Sequence, residues 1–182
     1  MRIVGGALGG RTLRAVPGDS TRPTADRVRQ SLFDLLGQRM DELAVLDLFA
    51  GTGAMGLEAL SRGAIKAVLV EKDARACDVI LGNISDLKLE AFAKVLRGEL
   101  PGALSQLRGQ RFDLVFSDPP YALRAAQTTL DALCSNDVLG PGARVVLEMD
   151  RREEKPQLAS GLSLADERLY GDTLLLVVCK DH

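Results

Sequence analysis

Between Ala44 and Met149, short apolar runs of strand length alternate with segments whose apolar residues recur at helical spacing. The runs are 44–49 (AVLDLF), 67–72 (AVLVEK), 93–98 (AKVLRG), 112–118 (FDLVFSD) and 143–149 (ARVVLEM). The helical segments between them are 56–63, 74–87, 101–109 and 124–135. Strands alternating with crossover helices give a parallel sheet with helices on both faces. Two further runs, 162–170 and 173–180, flank Gly171-Asp172, which predicts an antiparallel hairpin at the sheet edge. Upstream, residues 2–4 and 12–16 predict a small hairpin. Ala25–Met40, with Val28, Leu32, Leu35, Leu36 and Met40 on one face, predicts a helix with Thr24 or Asp26 as its N-cap.

The resulting expectation is one Rossmann-like α/β domain over residues 43–182, preceded by a hairpin-and-helix extension over residues 1–42. A length of 182 residues suits a single domain, and 46% hydrophobic with 26% charged residues suits a folded one. No apolar run reaches the length of a membrane span, and the first residues lack the apolar core of a secretory signal. Cys77, Cys134 and Cys179 are odd in number and have no CxxC spacing. They read as reduced, mostly buried thiols of a cytoplasmic protein. The single histidine is His182, the last residue, which removes a His general base, and without paired cysteines no metal site is expected.

Two motifs point to chemistry. In DLFAGTGAMG (47–56) the glycines Gly51 and Gly53 fall where the first strand passes into the first crossover helix, a turn where backbone must approach a ligand closely. Glu71 lies twenty residues beyond Gly51, at the end of the second strand, where a carboxylate accepts hydrogen bonds from a ribose diol. Asp47, just before the turn, would repel a pyrophosphate and suits a cationic ligand. S-adenosylmethionine, with its sulfonium and α-ammonium, fits that requirement, whereas a literal reading of G-x-G-x-x-G leaves NAD open.

The second motif is Asp118-Pro119-Pro120-Tyr121, at the end of the fourth strand. Two prolines stiffen the backbone and leave carbonyls as acceptors without N–H donors. A carboxylate and a rigid carbonyl can both accept from one exocyclic –NH2, directing its lone pair at an electrophilic methyl. Asp118 is then an acceptor and proton sink, and the Pro119 carbonyl is the second acceptor. Pro120 fixes the turn, and Tyr121 is a platform for stacking a base.

DLFAGTGAMGLEALSRGA together with VEKD and DPPY resembles the class I S-adenosylmethionine-dependent amino-methyltransferases. IVGGALGGRTL, RPTADRVRQSLFDLL and YGDT narrow the resemblance to the RsmD family, bacterial methyltransferases that modify guanine N2 in 16S ribosomal RNA. The similarity spans nearly the whole chain. It implies a seven-stranded, mostly parallel sheet with its last strand antiparallel. It also implies a donor over Gly51 and Gly53 with its ribose on Glu71. In such enzymes an acidic residue after the third strand contacts the adenine amine. Arg97-Gly98-Glu99 stands there, so Glu99 takes that place by position only, with backbone as the alternative. The implied partner is the small ribosomal subunit, met by a protein expected to be a monomer, without metal or membrane.

Residues 1–29 hold six arginines against Asp19 and Asp26, a net of +4 in a chain of net charge −2. Such a basic segment on an acidic body is an electrostatic footprint for nucleic acid. Arg22, Arg27 and Arg29 are its expected RNA contacts. Arg27 and Arg29, two apart on a helix, cannot share a face, so one of them is free to pair with Asp26 or an acid of the main domain. DPPY does not name the base: adenine N6 and cytosine N4 fit it too, and only the N-terminal resemblance favours guanine in RNA. An assembly factor that keeps the fold without the activity is a further alternative, against which Asp118 and Glu71 argue.

Overall fold

All of the apolar runs form strands of one sheet. The computed structural model describes residues 1–17, 23–119 and 125–182. Its elements are α1 (Pro23–Leu36), β1 (Ala44–Leu48), α2 (Ala54–Ser61), β2 (Lys66–Glu71), α3 (Ala74–Leu87), β3 (Ala93–Arg97), a 3-10 turn (Gly102–Leu107), β4 (Phe112–Ser117), α4 (Ala125–Ser135), β5 (Leu139–Asp150), β6 (Leu162–Tyr170) and β7 (Thr173–Lys180). The seven strands lie in the order β3-β2-β1-β4-β5-β7-β6. Strands β1 to β5 are parallel, and β7 runs antiparallel to both β5 and β6. The strand order reverses between β1 and β4, where a ligand crevice opens at the carboxyl ends of an α/β sheet.

The strands are apolar on both sides because both faces are covered. On one face Val45, Leu69, Leu114, Phe116 and Val146 pack against Phe33, Leu57 and Ile80. On the other, Leu46, Val70, Val115 and Leu147 pack against Leu104, Leu107 and Leu130. The first face also takes up Ile3, Leu13, Leu32 and Met40, so the N-terminal forty residues share this core. Asp47 belongs by alternation to the same face as Val45, under α2.

Several boundaries differ from the sequence reading. The N-terminal hairpin reduces to one bridge, Arg2 with Thr12. Helix α1 ends at Leu36, not Met40, because Gly37 takes φ 100° and reverses the chain. It begins at Pro23, which has no N–H to lose in a first turn, so Thr24 and Asp26 lie inside the helix and neither caps it. Strand β5 starts at Leu139, four residues early. Gly140-Pro141-Gly142 enters the ladder through a register shift, with Gly142 at φ 68°. Of the thiols only Cys77 is buried; Cys134 is exposed.

Candidate functional site

The turn after β1 is built from left-handed backbone: Phe49 has φ 58°, Gly51 57° and Gly53 78°. A Cβ on Gly53 would lie 2.8 Å from Leu69 Cδ2, whereas one on Gly51 would meet nothing within 4 Å. Gly53 is therefore glycine for packing as well as conformation, while Gly51 leaves open space above the turn. Phe49 tolerates no such excuse: a non-glycine residue in this region costs roughly 1–2 kcal/mol, a strain characteristic of sites.

Glu71, ending β2, is fixed by three backbone donors. Gly51 N–H donates to Oε2 at 2.9 Å, and Lys72 and Asp73 N–H donate to Oε1 at 2.8 and 2.9 Å. These bonds hold the carboxylate at the turn and leave it further acceptor capacity. Asp47 is 2% exposed, and its Oδ2 accepts from Gly56 N–H at 2.8 Å, bracing the first turn of α2. It stands behind the glycines rather than in the crevice. Burial raises its pKa from 3.8 to about 7, against the pull of the Gly56 bond; the charges of Asp118 and Glu71 push in the same direction as burial.

A cavity of about 530 Å³ opens where the strand order reverses. Its lining includes Phe49, Glu71, Glu99, Asp118, Pro119 and Glu148. The structure thus brings together Glu71, Glu99, Asp118 and Pro119, drawn from the ends of β2, β3 and β4. Glu99 is exposed at the rim and lies 3.6 Å from Lys72 Nζ. Asp118 presents an accessible side to the cavity, yet the protein packed around its carboxyl raises its pKa to about 6. Pro120, Tyr121 and Arg22 lie outside the described residues.

Glu148, near the end of β5, is not among the residues the sequence marks for chemistry, where 143–149 reads only as the fifth strand. The available signal is an acid near the carboxyl end of a largely apolar run, the same signal that Asp118 gives after β4. Burial, reinforced by the Asp118 charge, raises its pKa from 4.5 to about 7.

The N-terminal arginines divide. Arg27 is exposed. Arg29, expected at the RNA, is instead 4% exposed and turned into the protein, so it cannot reach a phosphate. It donates to the Arg2 carbonyl and to Asp26 Oδ1 at 2.9 Å, and its Nε stands 3.5 Å from Glu58 Oε2. Glu58 is fully buried and also receives Arg62 Nε, Val4 N–H and Gly5 N–H, each at 2.8 Å. A buried carboxylate needs such company, and Arg29 is part of it. Arg14 is occupied as well, paired with Asp86 at 2.7 Å.

Residues 1–179 match the family described as Conserved hypothetical protein 95. The chain belongs to that family. It is 37% identical over 175 residues to the Bacillus subtilis protein named "Putative rRNA methyltransferase YlbH", covering 95% of each. It is 35% identical over 171 residues to "Ribosomal RNA small subunit methyltransferase D" of Escherichia coli, covering 94% of this chain and 85% of that one. Among solved structures, "Putative methyltransferase yhhF from Escherichia coli" superposes with a TM-score of 0.89 at 33% identity, covering 100% of this chain and 98% of that one. The seven strands and the antiparallel β7 are those implied by the resemblance to class I methyltransferases.

Proposed function

We propose that the protein transfers a methyl group from S-adenosylmethionine to the exocyclic N2 of a guanine in the RNA of the small ribosomal subunit, in the cytoplasm. The observation that carries this reading is the single cavity lined by Glu71 on one side and by Asp118 and Pro119 on the other. It joins a ribose acceptor to a pair of acceptors for an amino group. The names of the relatives supply the substrate class.

The residues present fit the donor. Open space over Gly51, an anchored carboxylate at Glu71 and the buried carboxyl of Asp47 beneath the turn suit a nucleoside bearing positive charge. Glu71 would hold the ribose and Glu99 or nearby backbone the adenine. Bound there, the donor supplies an electrophilic methyl on its sulfonium. The chain's own part is to orient and to accept. The Asp118 carboxylate and the Pro119 carbonyl take the two N–H bonds of the amine, which aims its lone pair and stabilises the charge that develops on nitrogen. Asp118 Oδ then receives the proton the amine sheds. Tyr121 stacks on the base once it has left its helix or loop. Arg22 and Arg27 hold phosphates, which position RNA without reading sequence.

Purified protein incubated with tritiated donor and small subunits from a strain lacking the gene should label the RNA. Mass mapping of that RNA should find N2-methylguanine at one position. Thermal shift by S-adenosylhomocysteine but not by NAD should accompany it. Labelling of adenine or cytosine, or a shift by NAD alone, would overturn the reading.

A further inference from the structure

The cavity holds one acid that the proposed chemistry does not use, Glu148. Its position across the sheet is informative. The residues assigned to the donor lie after β3, β2 and β1, at Glu99, Glu71 and Gly51. Asp118 follows β4, and Glu148 sits on β5, on the far side of Asp118 from all of them. Ser117 pairs with Leu147, so the next step of the parallel register sets Asp118 beside Glu148 on neighbouring strands, about 4.8 Å apart. By alternation Glu148 shares the face of Val146, the face on which Asp118 follows Phe116. Among the described residues, Glu148 has no cation and no hydrogen-bond donor as partner. A partly buried carboxylate without a partner is an acceptor awaiting a donor.

Resting on the reading above, we propose that Glu148 is the specificity-determining residue of the base pocket: it accepts the N1–H of guanine while Asp118 and Pro119 hold the adjacent N2 amine. Guanine alone among the common bases carries a ring N–H next to an exocyclic amine on one edge. Adenine and cytosine place a lone pair there, at N1 and N3, and would set it against the carboxylate. DPPY grips any amino group, and Glu148 restricts which ring bears it. Burial raises the pKa of both carboxyls, and the Asp118 charge adds to the rise at Glu148, as expected of two acids facing one pocket.

The test uses 2-aminopurine, which keeps the N2 amine but has a bare lone pair at N1. Small subunits are rebuilt with RNA carrying either guanine or 2-aminopurine at the mapped target, and kcat/KM is measured for wild type and Glu148→Gln. A hydrogen bond to a charged acceptor supports roughly 10- to 100-fold discrimination, so wild type should favour guanine by at least that factor. The amide of Glu148→Gln can offer C=O or N–H, so the preference should shrink by about tenfold or more from the wild-type value, with guanine activity falling by about tenfold or less. Contacts to O6, which 2-aminopurine lacks, would act equally in both proteins and leave the change between them untouched. Affinity for S-adenosylhomocysteine should be the same in both. An unchanged preference in the variant overturns the assignment, as does a wild type that uses both bases equally, a result independent of whether the variant folds. A wild type that methylates neither RNA overturns the methyltransfer reading beneath it and is recognised as such.

Discussion

Replacing Asp47 by Asn should make the protein more stable at neutral pH and worse at holding its donor. The side chains are isosteric, and an Asn oxygen can still accept from Gly56 N–H, so the geometry of the turn is kept. What changes is the charge. Burial raises the Asp47 pKa from 3.8 to about 7, roughly three units, and at about 1.4 kcal/mol per unit this is on the order of 4 kcal/mol. Because the folded-state pKa is raised, the folded protein keeps a proton that the unfolded chain loses above pH 4. Stability therefore falls as pH rises from about 4 to about 7, and the whole penalty is present above that. The lead of the variant over wild type should be larger at pH 8 than at pH 5 by roughly 2–3 kcal/mol, less any pH-independent cost of its buried amide N–H groups, which is the same at both. Urea melts at the two pH values, compared through midpoints at constant slope, give these differences directly. Calorimetry at pH 8 should show weaker binding of S-adenosylmethionine, whose cationic groups lose an anion beneath the turn. A stability difference that is the same at both pH values would refute the argument, since it would mean that residue 47 does not titrate with folding.

Three further outcomes follow from the same geometry. Arg29→Ala should cost on the order of 3 kcal/mol in urea melts by stripping one partner from buried Glu58, whereas Arg27→Ala should leave stability alone and weaken RNA binding with a shallower salt dependence. Gly51→Ala should lower Tm only slightly, since its left-handed φ costs about 1–2 kcal/mol and its Cβ meets open space, but should weaken donor binding; Gly53→Ala should lose about 2–4 kcal/mol because Leu69 must also move. The rate of methyl transfer at low substrate should rise between about pH 5.5 and 7.5, as the Asp118 and Glu148 pair sheds its protons and becomes fully accepting; a flat profile across that range would contradict their role as acceptors.

Much of this fold is written in local pattern. α3, β6 and β7 follow residue by residue from apolar periodicity and from the turns that bound them, and Gly51, Glu71 and Asp118 are marked by their places at strand ends. What was not legible depends on contacts between distant segments. That one of Arg27 and Arg29 pairs with Asp26 or an acid of the main domain is legible, but which one is settled only when α2 delivers Glu58 beneath Arg29. β5 begins early because Leu139 finds Phe112, and no local propensity announces a strand running through Gly-Pro-Gly. Glu148, like Arg144, looks like a polar residue in a largely apolar run, and only the register of β4 against β5 sets it beside Asp118.

The hydrogen bonds that Val4 N–H and Gly5 N–H donate to Glu58 give the N-terminus a part in the interior of the methyltransferase body. A chain shortened by its first thirteen residues would take two hydrogen-bond donors from buried Glu58 and open holes where Ile3 and Leu13 stood. The N-terminal segment is therefore no detachable piece: it cannot be exchanged for another sequence without rebuilding the core beneath it.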